Sequence, residues 1–290
     1  MIIGDLEVTL ISGGRLWIDG GCMFGPVPKT LWSAKHAPDE QNRIELDTNC
    51  LLVRSAAGIG LIDVGYGSKA SPRECERFRL CAGHPLVENL AAVGIAPADV
   101  NWVILSHLHF DHVAGCTDLA GGLLRPVFPN ATHFVQQTEW EDAAADLPEL
   151  SGSYFPNDFL PLKQAGLVQL LDGDATLFPG VAVRQIGGHT RGQQLVLIGY
   201  ANQRVVYLAD LCPYATQLRS SWVMSYDQFP RDVRRSKAEV FAEAIRDRWL
   251  CVFSHDPIIR AAYLGEDARG NIVVDQAVDL ASTKNYEGSL

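Results

Sequence analysis

The densest concentration of reactive side chains in this sequence is His107-Leu108-His109-Phe110-Asp111-His112, which holds three of the eight histidines and one carboxylate. Imidazole nitrogen and carboxylate oxygen are the donors that zinc and similar first-row divalent ions accept. One ion needs three or four donors, and four crowded on one loop do not readily converge on one centre. Alternate residues His107 and His109 can serve one ion, and Asp111 with His112 a second. Ser106 precedes the run, and before it Val103-Ile104-Leu105 reads as a short buried strand. The donors therefore sit where a strand stops and a loop begins.

The same arrangement recurs downstream. Val181-Ala-Val-Arg-Gln-Ile186 alternates as a strand and runs into Gly187-Gly188-His189-Thr190. Val205-Val-Tyr-Leu-Ala209 runs into Asp210, and Leu250-Cys-Val-Phe253 runs into Ser254-His255-Asp256. In open α/β sheets ligands collect at the carboxyl ends of strands. Further upstream, Leu51–Val53 and Ile59–Asp63 read as a hairpin joined through Ala56-Ala57-Gly58. It ends in Asp63-Val64-Gly65, where an aspartate can orient a ligand histidine from behind.

The other elements follow from periodicity and punctuation. Leu86, Val87, Leu90, Ala91 and Val93 have helical spacing, with Gly94 as the stop. Thr132–Gln136 reads as a strand in which His133 is structural, and Thr138–Ala145 as a helix. Ser236-Lys-Ala-Glu239 has the form of a capping box opening a helix that runs to about Arg248. Arg231, Arg234, Arg235 and Lys237, broken by Asp232, read as its solvated start. Two irregular stretches remain. Gly20–Trp32 is rich in Gly and Pro with Met23, Phe24 and Trp32, either a pocket wall or subunit contact, or a loop packed on itself. Tyr154–Pro161 is aromatic with two prolines, either a pocket cap or satellite core packing.

The 290 residues are 47% hydrophobic and 20% charged, an ordinary globular composition. No stretch approaches the roughly 18 apolar residues of a membrane span, and the N-terminus lacks the basic and apolar regions of a secretory signal. Seven scattered cysteines with no Cys-x-x-Cys pair fit a reducing, cytoplasmic setting better than a disulfide scaffold. Cys212, close to Asp210, reads as a buried thiol. A net charge of −10 argues against a nucleic-acid backbone as substrate. No linker or charge run marks a boundary, so residues 1–290 read as one domain.

The motif His107-x-His109-x-Asp111-His112, with Gly188-His189-Thr190, Asp210, His255 and the upstream Asp63-x-Gly65, resembles the signature of the metallo-β-lactamase superfamily. The resemblance implies an α/β fold, a four-layer αβ/βα sandwich of two mixed sheets with helices outside. It also implies two divalent ions, zinc first, with manganese, cobalt or iron as alternatives. His107, His109 and His189 would hold one ion, Asp111, His112 and His255 the other, and Asp210 would bridge both, as a carboxylate with two oxygens can.

Within the superfamily the ligand set is similar to that of the N-acyl homoserine lactonases, the quorum-quenching enzymes, and related lactone hydrolases. By that resemblance a bridging hydroxide attacks an ester or lactone carbonyl and Asp111 passes a proton to the leaving oxygen, two metals giving a centre of residual positive charge. Tyr214, displaced one position by Leu211-Cys212-Pro213, is the matching substrate hydrogen-bond donor. The partner is then a small ester or lactone, with neither nucleic acid nor membrane involved and with room for a homodimer. Phosphotriester, aryl ester, thioester and β-lactam hydrolysis use the same kind of site. A di-iron, flavodoxin-fused oxidoreductase is disfavoured, since it would carry a glutamate in the first motif and a flavin domain.

Overall fold

The computed structural model describes residues 1–145, 147–150, 152–201 and 203–280. Two seven-stranded sheets carry the fold, and in each the spatial order of the strands is their order along the chain. The first consists of Ile2–Ile3, Leu6–Asp19, Arg43–Ser55, Gly58–Ile62, Val100–Ile104, Thr132–Gln136 and Val168–Leu171. Its first four strands pair antiparallel and the remaining pairings are parallel. The second consists of Ala175–Phe178, Val181–Gln185, Gln194–Tyr200, Gln203–Tyr207, Leu250–Val252, Ala261–Glu266 and Ile272–Ala277, antiparallel except for the central pair Gln203–Tyr207 and Leu250–Val252.

Parallel neighbours need a crossover, usually a helix, and the helices supply the outer layers. Between the sheets Val8, Leu51, Val53 and Trp102 pack with Val196, Ile198, Val205 and Val252. The opposite face of the first sheet packs on Pro85–Ala92, Gln137–Ala144 and Pro156–Gln164, through residues such as Leu90, Trp140 and Phe159. That of the second packs on Pro230–Arg246 through Val240, Phe241 and Ala244. This is the four-layer α/β sandwich that the motif implied. Inner strands are therefore buried on both faces, and their sequences read as apolar runs rather than alternations.

Three elements depart from their sequence reading. The last helix opens at Pro230, not at Ser236. Proline at the first helical position gives up no hydrogen bond there, and Ser236 lies buried inside the helix rather than capping it. In the sequence Leu6-Glu-Val-Thr-Leu-Ile11 alternates apolar and polar and reads as a strand; in the structure that strand continues to Asp19 past an irregularity between Ser12 and Arg15. The aromatic stretch after Tyr154 becomes the helix Pro156–Gln164 with Pro161 inside it. Pro161 has no N–H for the carbonyl of Asn157 four residues back. The Thr117 hydroxyl donates to that carbonyl instead, at 2.8 Å. This ties the helix to a two-stranded ribbon, Thr117–Ala120 and Leu123–Pro126.

The two sheets are joined along one edge. Asn49 N–H donates to the Ser254 carbonyl at 2.8 Å, and the Asn49 side chain donates to the carbonyls of Phe253 and Asp256. Gln194 reaches back to the carbonyls of Ser106 and Leu105. The histidine-bearing loops all leave the sheets along this edge.

Candidate active site

Val100–Ile104 delivers His107, His109, Asp111 and His112; Val181–Gln185 delivers His189, Gln203–Tyr207 delivers Asp210, and Leu250–Val252 delivers His255. All seven side chains are buried and they converge. Donor atoms of His107, His109 and His189 lie within 4.8 Å of one another, as do those of Asp111, His112 and His255, and those of His107, His112 and Asp210. Asp210 spans the groups. Its Oδ1 is 3.3 Å from Nε2 of both His112 and His255, while its Oδ2 is 3.4 Å from His189 Nε2. Asp111 faces His255 at 3.5 Å and His112 at 4.0 Å.

The outer nitrogens show which electron pairs point inward. His112 Nδ1 donates to Asp63 at 2.7 Å, His189 Nδ1 to Asp227 at 2.9 Å, and His255 Nδ1 to the Asp47 carbonyl at 2.9 Å. With the δ proton committed, the ε nitrogen of each neutral ring presents its lone pair. Nε2 of His112 and of His255 then face each other at 3.2 Å, and His107 Nε2 is buried with no hydrogen-bond partner. Lone pairs so opposed and so dry fit a cation between them, and the donor set of imidazole and carboxylate is the one first-row divalent ions accept. The three Nδ1 contacts are of the kind that fixes ring orientation and raises ligand basicity.

Charge follows from burial and neighbours. Burial, reinforced by adjacent imidazoles, drives His107 and His109 well below the ordinary histidine range. Burial would also lower His112, but Asp210, Asp111 and Asp63 hold it well above that range; Asp210 likewise raises His189 and His255. Burial opposes ionisation of Asp210, yet His112, His255 and His189 hold its carboxyl well below the usual carboxylate range.

Asp63 is the hub behind the first loop. It accepts from Ser106 N–H at 2.7 Å, the Ser106 hydroxyl at 2.6 Å, His112 and the Tyr207 hydroxyl. It does so from a left-handed backbone (φ 54°), and Ala209, beside Asp210, shares that conformation (φ 47°). Such non-glycine strain is held in place where surrounding structure over-determines it. Gly188, at φ 101° with its α-hydrogens against Val233, lets the chain turn into His189 where a side chain would collide.

Tyr214 is a correction. Its ring is fully buried beside Phe24 and His36, and its hydroxyl donates to the Glu45 carbonyl at 2.7 Å. Tyr214 is not among the residues that line the cavity above the donors. Cys212 is a buried thiol pushed up to about 12 by burial, so it stays protonated, and all seven cysteines are free.

Above the converging donors opens a cavity of about 610 Å3, within the usual range for a small-molecule site. His109, Asp111, His189, Asp210 and His255 line its floor. Phe78, Phe110, Leu119, Leu123 and Phe155 supply apolar wall, and Met23 comes from the Gly-rich segment. Tyr226 is the half-open phenol of that wall, 40% exposed. Sequence reasoning singled out neither Tyr226 nor Asp227. Both lie in an irregular loop with no periodicity, and the nearby Gly188-His189 lies 37 residues or more upstream in sequence, so nothing local marked them.

The family model described as the metallo-beta-lactamase superfamily matches residues 43–255. The chain belongs to the metallo-β-lactamase superfamily. It is 34% identical over 230 residues to an N-acyl homoserine lactonase of Bacillus thuringiensis, covering 73% of this chain and 82% of that one. Among solved structures it is similar to a probable metal-dependent hydrolase from Staphylococcus aureus, at 30% identity and TM-score 0.85, covering 96% of this chain and 100% of that one. It shares its fold with AidC, a dizinc quorum-quenching lactonase in complex with a product, at TM-score 0.76 and 22% identity, over 96% and 97% of the chains. As a metallo-β-lactamase superfamily member of this kind it is a metal-dependent hydrolase.

Proposed function

We propose that this hydrolase opens the ring of a lactone carrying an apolar acyl substituent, of the N-acyl homoserine lactone kind. The observation that carries the reading is Asp210, whose two oxygens face separate histidine groups on the floor of a half-apolar cavity. The likeness to curated lactonases supports the substrate class. In this reading His107, His109 and His189 hold one divalent ion, Asp111, His112 and His255 hold the second, and Asp210 is shared. Zinc is the metal proposed, on the histidine-rich donor set.

When bound, such a pair of ions supplies Lewis acidity and a water acidic enough to ionise near neutral pH. The chain's own residues do the rest. The buried imidazoles and the paired Asp210 keep the floor dry and charged. Asp111, at the floor of the cavity, is the carboxylate placed to carry a proton to the departing alkoxide oxygen. Tyr226 takes the substrate-facing position expected of Tyr214. Burial and the neighbouring Cys22 thiol push its phenol well up, so it stays protonated throughout the neutral range. The apolar wall at Phe78, Phe110 and Phe155 accommodates the acyl substituent.

The test is one kinetic panel of lactones, aryl esters, phosphotriesters, thioesters and β-lactams on protein of defined metal content. The expected result is highest kcat/KM on acylated lactones. Faster turnover of a phosphotriester or a cephalosporin would replace the substrate assignment, and full turnover after complete metal removal would end the metal-dependent scheme. Tyr226→Phe should lower lactone kcat/KM by about 10- to 100-fold, the cost of one lost transition-state hydrogen bond of roughly 1.5–3 kcal/mol. Tyr214→Phe should act on stability instead.

A further inference from the structure

The orienting groups described so far serve His112, His189 and His255 one by one, and Asp63 also reaches His107 through the Ser106 hydroxyl, which lies 3.0 Å from His107 Nδ1. Glu139 is different. It lies on the helix Gln137–Ala144, is fully buried, and coordinates nothing. Its Oε1 accepts the Leu108 N–H at 2.9 Å, and Leu108 is the residue between His107 and His109. The same oxygen accepts the Tyr154 hydroxyl at 3.0 Å, and the Tyr154 ring packs on the His109 ring at 5.1 Å. Its Oε2 accepts the Thr190 hydroxyl at 2.6 Å, and Thr190 follows His189. One carboxylate thus grips both loops that bring the three histidines together.

Other contacts from this helix reinforce the grip. Thr138 Oγ1 accepts from Gln185 Nε2 at 2.9 Å, and Asp142 accepts from Arg191 Nε at 2.8 Å. Gly192 lies so close to Glu139 that a Cβ there would collide with the Glu139 backbone nitrogen. His109 in particular has no carboxylate or carbonyl acceptor of its own among the described residues: its Nε2 is unpartnered. Its Nδ1 faces His189 Nε2 at 2.9 Å, its ring packs on Tyr154, and the Tyr154 hydroxyl is held by Glu139.

We propose that Glu139 is the positioning residue of the three-histidine site, fixing His107 and His109 relative to His189 without touching any of them. His112 and His255 are oriented separately, through Asp63 and the Asp47 carbonyl, and make no contact with it. The inference rests on the two-ion reading above. It concerns how one of the two sites is built, and it makes the two sites separable.

The experiment is cobalt(II) titration of the metal-free protein, read by visible absorption and by stoichiometry, alongside kcat and KM. Wild type should take two ions per chain; fewer would overturn the two-ion reading itself, whatever Glu139 does. Glu139→Ala should weaken one site by about 10- to 100-fold, the range for loss of an outer-sphere partner, and leave the other unchanged. The surviving tight site should match, in affinity and spectrum, the single site left in His189→Ala. Glu139→Gln should restore both to within about threefold of wild type, since its carbonyl still accepts from Leu108 and Tyr154 and its amide can donate to the Thr190 oxygen. Thr190→Val, a smaller change, should weaken the same site alone and by less. Equal weakening of both sites, no weakening of either, or failure of Glu139→Gln to rescue would overturn the proposal.

Discussion

Asp210 and His133 show how differently a buried titratable residue can be used. Asp210 is held ionised by three imidazoles, at the cost of desolvation, and its value lies in having two oxygens to present. Removing it in Asp210→Ala should drop metal content below two per chain and lower kcat by on the order of a thousandfold, measured by metal analysis and lactone turnover on the same sample. His133 lies in the first sheet with Nδ1 near the Leu167 carbonyl and no role in the cavity. Burial lowers it to about 4. The unfolded chain therefore takes up this proton first as pH falls. The stability that His133 protects is present above about pH 6.5 and lost towards pH 4, by about 3 kcal/mol. Denaturant unfolding of the metal-free protein should show the stability gap between wild type and His133→Leu shifting by about that amount in the variant's favour over that window.

Among the elements, the irregular segment between Asp210 and Pro230 carries as much of the site as any strand. It supplies Met224 and Tyr226 to the cavity wall and Asp227 to His189. What holds it is Lys237, an ammonium fully buried in the last helix, which donates to the carbonyls of Gln217 at 2.9 Å and Trp222 at 2.6 Å. Burial lowers the lysine's affinity for its proton, and the two carbonyls are its compensation. Lys237→Met would leave both carbonyls unpaired. A net loss of about 2 kcal/mol and a melting temperature lower by roughly 5 °C are expected by calorimetry. Asp227→Ala acts on one ring instead. It should cost about 10- to 100-fold in affinity at the site containing His189, with little change in melting temperature of the metal-free protein.

For the molecule as a whole, the carboxyl ends of strands from two sheets meet at one edge, so the site is also a joint between the halves of the fold. Ions bound there by the folded state and not by the unfolded one add stability by mass action, about 2.7 kcal/mol per site at a hundredfold excess over Kd. Chelation should therefore lower the melting temperature as well as abolish turnover, and zinc or cobalt should restore both. Because Asp210 raises the proton affinity of His112, His189 and His255 in the metal-free state, metal uptake must release protons. Affinity should fall as pH falls, as proton release in buffers of different ionisation enthalpy would show. Among the described residues no helix is long and apolar enough to cross a membrane.

What the chain declared by itself was local. Strands ending in His or Asp could be read because apolar runs and the donors beyond them are neighbours in sequence, and the six-residue motif with its downstream partners named the family. The helix start at Pro230 was missed because its first two turns present mainly charged residues, with Val233 as their buried apolar contact against Gly188. Tertiary structure alone decided that Tyr214 faces inward and Tyr226 faces the cavity, that Asp227 backs His189, and that Glu139 joins two loops some 50 and 30 residues away from it. Those are hydrogen bonds and packing contacts across long separations, which have no period and no spacing to betray them. They exist only once both sheets have closed and each buried polar group has had to find a partner.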